Sequence, residues 1–275
     1  MNARHAAAAT PAASPPAACS HCKLRAWCLP ADTSGPAPER LNASFGVLRS
    51  VPRGGTLFRA GDAFESLYAV RSGFFKTRVS CPHRDDHVTG FQMPGEVLGL
   101  DGIGIDRHCC DAVALEDSQV CVIAYHQLEH QSRDCSELQH QLHKIMGGEI
   151  VREQTVMLLL GNTRAEVRVA AFLLNLAARL RARDLSPSKL VLRMTREEIG
   201  SYLGLQLETV SRCFSKLHED GVLQVRQRHI RIVDEDALDR LVNRAGWMKP
   251  TALNRAHTVA PAVHHVTDAL HHSGG

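Results

Sequence analysis

Residues 136–160 read S-E-L-Q-H-Q-L-H-K-I-M-G-G-E-I-V-R-E-Q-T-V-M-L-L-L and contain no proline. Met146, Ile150, Glu153, Met157 and Leu160 follow one another there at steps of four, three, four and three. That a/d spacing keeps one stripe of a helix turned to a partner helix. Four of the five seam residues are apolar and the fifth, Glu153, is an acid. Val156 and residues 158–160 widen the apolar face, giving the helix more to bury than one side can take. Turn-rich sequence precedes the stretch and helical sequence follows it. It therefore reads as a connector between two domains and, through Ile150, Glu153 and Met157, as a subunit seam. The competing reading is a helix packed within its own domain, with Glu153 on a solvated flank.

A chain of 275 residues accommodates two domains plus tails. No apolar run reaches the ~18 residues of a membrane helix. Residues 1–18 are rich in Ala and Pro, and Pro11, Pro15 and Pro16 interrupt any apolar core ahead of Cys19. They read as a disordered arm, not a signal peptide, which predicts a cytoplasmic protein with reduced thiols. The cysteine count of nine is odd and argues against a closed disulfide framework. A net charge of +3 does not by itself announce nucleic acid.

The chain divides into an arm (1–18), a cysteine loop (19–30), a β-rich domain (31–135), the seam helix (136–163), a helical reading head (164–248) and a disordered His-rich tail (249–275). Short runs such as S-L-Y-A-V and Q-V-C-V-I-A-Y, punctuated by glycines, predict a β-sandwich or small barrel for the β-rich domain. Residues 164–183 predict a helix with one apolar face of Val167, Ala171, Leu174 and Ala178. The tail carries His264, His265, His271 and His272 and reads as a solvated segment rather than a metal site.

In the head, T-R-E-E at 195–198 has the form of a capping box. A helix should start there and run to about Leu203, with Gly204 as the turn. A second helix should run from about Leu207 to Asp220, stopped by Gly221. Ile199, Leu203, Leu205, Val210 and Leu217 would form the core of this helix-turn-helix. Glu208, Ser211 and Arg212 lie early on the second helix, where such motifs reach base edges. Arg can bind guanine through two hydrogen bonds, Glu can accept from cytosine, and Ser can contact either partner. Residues 222–233 alternate like a hairpin and would lay a basic wing over phosphate. Lys and Arg balance Asp and Glu across the head, but Arg212, Lys216, Arg226, Arg228 and Arg231 form a local basic stripe. Lys216, Arg226 and Arg228 are the candidate backbone contacts. The bland alternative is a three-helix packing unit with solvated charges.

Cys19, Cys22 and Cys28 stand as C-x2-C-x5-C. The spacing alone leaves iron–sulfur, zinc and loose thiols open. A thiol–disulfide enzyme built on C-S-H-C is disfavoured, because that motif opens a helix beside a βαβ pattern and here it follows a Pro/Ala arm.

The run M-T-R-E-E-I-G-S-Y-L-G-L-Q-L-E-T-V-S-R resembles the winged helix of the CRP/FNR transcription regulators, with the E-x-x-S-R of the FNR branch at Glu208, Ser211 and Arg212. Residues 54–62 and 98–104 are similar to that family's β-roll, and the seam helix to its dimerisation helix. The resemblance spans residues 19–245 in the family's order. It implies an α+β chain: an N-terminal cyclic-nucleotide-binding-like β-roll, a long dimerisation helix and a C-terminal winged helix-turn-helix. It further implies a homodimer on double-stranded DNA with TTGAT-like half-sites, contact with RNA polymerase and no membrane. For the cysteines it implies an oxygen-labile [4Fe-4S] cluster on Cys19, Cys22, Cys28 and, from the context Q-V-C-V-I-A-Y, Cys121. Cys109 and Cys110 are the rivals for the fourth ligand; Cys81, Cys135 and Cys213 read as packing or spare thiols, and His21 as a bystander. Loss of the cluster in oxygen would weaken the dimer. The alternative is a regulator of the same fold answering another small effector, with zinc or nothing on the cysteines. The phosphate grip of cyclic-nucleotide binders, adjacent Arg and hydroxyl after Gly-Glu-Leu, is missing after Gly95-Glu96-Val97, which points Glu96 to a structural role.

Overall fold

The structure is a computed structural model describing residues 45–80, 86–162, 164–183 and 185–244. The arm, the cysteine loop with Cys19, Cys22 and Cys28, Cys81 and the His-rich tail lie outside the described residues.

Eight strands open the fold: β1 (Phe45–Val51), β2 (Thr56–Phe58), β3 (Ser66–Ser72), β4 (Phe75–Val79), β5 (His87–Gln92), β6 (Val97–Leu98), β7 (Asp111–Ala114) and β8 (Ser118–Ala124). They form two four-stranded antiparallel sheets, β1-β8-β3-β6 and β2-β7-β4-β5. Val51, Phe58, Val70, Phe75, Leu98 and Val120 fill the space between them. Gly73 turns β3 into β4 at φ 87, and a Cβ there would lie 2.0 Å from the Ser118 hydroxyl oxygen. Both the backbone sign and the space demand glycine. Pro94 and Gly95 (φ 88) make a tight turn between β5 and β6, closed by Glu96 N–H donating to the Met93 carbonyl at 3.1 Å. Pro sets the first φ of such a turn and Gly allows the second.

Helix α1 (Tyr125–Asp134) follows, then α2 (Ser136–Asn162), the expected seam helix. The sequence reading included 125–134 in the β-rich domain and missed α1. Only Leu128 and Ser132 of α1 are buried, too few to print a helical period on so polar a segment. Leu128 joins Leu138 and Leu142 of α2 against Leu67, Ala69, Val97 and Ile123 of the first sheet. Farther along α2 the stripe is bare: Ile150 is 54% exposed, Met157 69% and Leu158 66%.

The reading head comprises α3 (Ala165–Arg181), β9 (Lys189–Val191), α4 (Arg196–Leu203), α5 (Leu207–Glu219), β10 (Leu223–Arg226), β11 (His229–Ile232) and α6 (Glu235–Arg244). Helix α3 is not one-sided as its pattern suggested. Val169, Ala170, Phe172, Leu173, Leu176 and Ala177 are buried along with Val167, Ala171 and Leu174. A helix apolar on all sides belongs inside a larger body, and α3 lies in one core with Val88, Phe91, Met93 and Leu115 of the β-domain and Leu203, Val210 and Phe214 of the head. β9 pairs with β11 and makes the wing a three-stranded sheet, order β10-β11-β9.

Candidate nucleic-acid interface and sensor site

Helix α4 starts at a complete capping box. Glu198 N–H donates to Thr195 Oγ1 at 3.1 Å, and Thr195 N–H donates to Glu198 Oε2 at 2.6 Å. Gly204 ends the helix at φ 61. A Cβ on Gly200 would come within 2.5 Å of the Leu205 carbonyl oxygen, so glycine is required where the turn folds back on α4. Helix α5 then buries Val210, Cys213, Phe214 and Leu217. The side it leaves exposed carries Glu208, Ser211 and Arg212 together. The Arg212 guanidinium donates to Thr209 Oγ1 at 3.4 Å, a long contact that leaves other donors for a base.

Arg226 and Arg228 are exposed in the wing, with Gln227 between them at φ 55 in the hairpin turn. Lys216 is also exposed, and its ammonium sits 2.6 Å from Glu166 at the start of α3. Arg196 was not singled out by the sequence. Its guanidinium stacks 3.4 Å over the Phe214 ring and ties α4 to α5. Burial pulls its pKa down to about 10, which leaves it charged at neutral pH. Arg168 of α3 was missed as well. It donates to the carbonyls of Leu203 (3.0 Å) and Leu160 (3.1 Å), joining the end of α4 to the end of α2.

Cys121 lies in β8, paired with Leu48 of β1 on one side and Ala69 of β3 on the other. It is half-buried and packs on the cluster shared with Leu138 and Leu142 of α2. The described chain begins at Phe45, opposite Ile123 and two residues from Cys121. The rivals lie elsewhere, beside Asp101. Cys109 is exposed, and Cys110 is buried with its thiol 3.5 Å from the Asp101 carboxylate. Burial and that carboxylate push the Cys110 thiol well up, disfavouring the thiolate that a metal needs. Among the described residues no group of three or more His, Cys, Asp or Glu is arranged to hold a metal ion.

Glu96 is already engaged. Arg179 grips it with Nε at 2.9 Å and Nη2 at 2.5 Å, Arg183 donates at 3.0 Å, and Met93 N–H donates at 2.9 Å. Each oxygen of that carboxylate already accepts two hydrogen bonds, which leaves it poorly placed to accept from a ribose hydroxyl.

Residues 48–134 match the cyclic nucleotide-binding domain and residues 167–241 the Crp-like helix-turn-helix domain. The chain is 42% identical over 230 residues to the transcriptional regulatory protein btr of Bordetella pertussis, covering 83% of this chain and 95% of that one. It is 38% identical over 223 residues to the fumarate and nitrate reduction regulatory protein of Escherichia coli K12, covering 81% and 89%. The chain belongs to the CRP/FNR family. It is thus a DNA-binding transcription regulator rather than an enzyme, acting through the helix-turn-helix of α4 and α5. Of solved structures, FixK2 from Bradyrhizobium japonicum superposes with a TM-score of 0.66 at 30% identity, covering 70% of this chain and 96% of that one. TTHB099, a CRP-family transcriptional regulator from Thermus thermophilus, shares the fold at 20% identity, with a TM-score of 0.58 and coverage of 71% and 96%. No described helix is long and apolar enough to cross a membrane.

Proposed function

We propose that this CRP/FNR regulator senses oxygen through a [4Fe-4S] cluster held by Cys19, Cys22, Cys28 and Cys121. In this reading it is a cytoplasmic homodimer that binds a twofold-symmetric TTGAT-like site and works with RNA polymerase at promoters. The likeness to a fumarate and nitrate reduction regulatory protein supports it. The observation that carries it is the position of Cys121. Its side chain rests on the cluster of residues that seats α2 on the β-roll, and α2 is the helix whose outer half bears the bare stripe of Ile150 and Met157. From Cys28 to Phe45 is 17 residues, which can span up to about 60 Å. The cysteine loop therefore has ample chain to reach Cys121. Bound there, the cluster supplies an oxygen-labile tie between the N-terminal loop and β8. Leu138 and Leu142 transmit the packing at Cys121 to α2, Ile150 and Met157 provide apolar area for a twofold mate, and Glu153 opposes pairing.

Iron and acid-labile sulfide assays on anaerobically purified protein test the reading. Four cysteine ligands complete a cubane site, so Cys121→Ala should abolish iron and sulfide as fully as Cys22→Ala, whereas Cys135→Ala retains both. Full retention in Cys121→Ala with loss in Cys110→Ala would move the fourth ligand to the rival position. Zinc without sulfide in the wild type would remove the oxygen-sensing reading altogether.

A further inference from the structure

Glu96 joins three parts of the molecule at one carboxylate. It stands at the end of the Pro94-Gly95 turn, where its backbone carbonyl accepts from Val70 N–H at 2.8 Å, fixing it to the β-roll. Arg179 and Arg183 reach it from α3 and the residues just beyond, as part of the head. Arg152 reaches it from α2, at 3.7 Å, while also pairing with Glu149 one helical turn back. The arginines make further bonds that aim them. Arg179 Nη2 donates to the Phe91 carbonyl at 2.6 Å, and Arg183 Nε donates to the Pro94 carbonyl at 2.6 Å. The Glu96, Arg179 and Arg183 side chains are each at most 12% exposed. An ion pair in such a place gives little net stability, because desolvation offsets the attraction. Its value lies in geometry, since a two-pronged Arg–carboxylate pair has one good arrangement.

We propose that Glu96 is a positioning residue for DNA binding, making the orientation of the reading head depend on the position of α2. Arg152 is the immediate neighbour of Glu153 on α2, so any shift of the seam moves Arg152 against Glu96. Glu96 in turn holds α3, the helix on which the head packs. Around it the head rests on the β4–β5 hairpin: Lys76 pairs with Glu198 at 2.6 Å, and Val88 N–H donates to Ser201 Oγ at 2.9 Å. Phe91, Phe172 and Tyr202 close the same seam edge to face. These contacts bind the head to the β-roll, whereas Glu96 with Arg152 also includes the helix proposed to pair. The inference rests on the DNA-binding role and on α2 as the dimer helix, and does not require the cluster.

Two measurements on the full-length chain test it. Peptide-level hydrogen exchange is compared for wild type, Glu96→Gln, Arg152→Gln and the double variant, with Val51→Ala as a control for lost β-roll stability. Arg152→Gln, a change in α2, should raise exchange in α3 and α4 by at least about fivefold, the lower end of usual coupling between sites. The double variant should add nothing beyond Glu96→Gln, and Val51→Ala should leave the head protected. The second measurement is anisotropy with a labelled duplex carrying two inverted TTGAT half-sites, alongside sedimentation. Glu96→Gln should weaken binding while the dimer fraction stays at the wild-type value. A head equally protected in wild type and Arg152→Gln overturns the proposal, as does strict additivity of the two substitutions. Equal affinity of dimeric wild type and dimeric Glu96→Gln overturns it too. A wild type that ignores this duplex counts against the proposed DNA site, and exchange then decides the role of Glu96.

Discussion

Arg212 and Arg228 are both exposed arginines of the head, and we propose that they serve different parts of recognition. Arg212 shares one face of α5 with Glu208 and Ser211, whereas Arg228 sits in the wing turn, where its Nη1 donates to the Arg193 carbonyl at 3.3 Å. Arg212→Ala should cost about 1–3 kcal/mol at one guanine-containing base pair and relax preference there. Arg228→Ala should weaken all duplexes alike and flatten the salt dependence. Titrations against single-base-pair variants at two salt concentrations separate these effects, and unchanged discrimination by Arg212→Ala would take it out of base reading. Gly200 is a residue-scale constraint of another kind. Gly200→Ala drives a Cβ into the Leu205 carbonyl, which is backbone and cannot swing aside. It should destabilise the head by about 1–3 kcal/mol, the usual cost of overpacking, seen as a lowered denaturation midpoint. A midpoint equal to wild type would mean that the turn relaxes freely.

At the scale of elements, α2, the helix proposed to pair, sets exposed apolar area beside an acid. Ile150 and Met157 offer a surface to a partner, and Glu153 stands between them on the same stripe. Partial burial and the neighbouring Glu149 already push the Glu153 carboxyl up in the single chain. Bringing a second Glu153 alongside would add like-charge repulsion and further desolvation. A weakly pairing helix suits a switch, because a modest contribution then decides the equilibrium. Glu153→Ala removes the charge and keeps helix propensity, so the aerobic, iron-free variant should dimerise at micromolar concentration and bind the site. Sedimentation that finds it as monomeric as wild type would show that the charge does not hold the switch open. The elements differ in how plainly the sequence announced them. Helices α4 and α5 were legible because caps are local: Thr195, Glu198, Gly204 and Gly221 mark ends without help from elsewhere. Helix α1 was not, because two buried residues leave no period. The all-round burial of α3 escaped for a different reason. Its pattern was read as one apolar face, and the partners that bury a further face, Phe91 and Met93 of the β-roll, lie more than seventy residues away in the chain.

Across the whole molecule an apolar core joins β-roll and head, and buried charges that no local pattern reveals fix how they fit together. Gly95-Glu96-Val97 suggested only that Glu96 is structural; that its partners are Arg179 and Arg183, 83 and 87 residues later, follows from the fold. This arrangement has a consequence in acid. Burial by itself would raise the Glu96 pKa, but Arg179, Arg183 and Arg152 together hold it well below the usual carboxylate range. A carboxyl depressed in the folded state binds its proton more readily once the chain unfolds. Its stabilising contribution is therefore fully present above the unfolded value of about 4.3 and drains away as pH falls toward the folded value. Glutamine has the shape of the protonated acid and cannot titrate. Glu96→Gln should thus melt below wild type at neutral pH, leaving three arginines with one fewer counter-charge. The gap should stay constant down to about pH 4.3 and narrow steadily below it, because only the wild type has that proton to gain. Thermal melts of both proteins from neutral to strongly acidic pH give the gap directly. A gap that stays the same width through the acid range would show that the Glu96 carboxylate is not the charge on which the union of β-roll, seam helix and head depends.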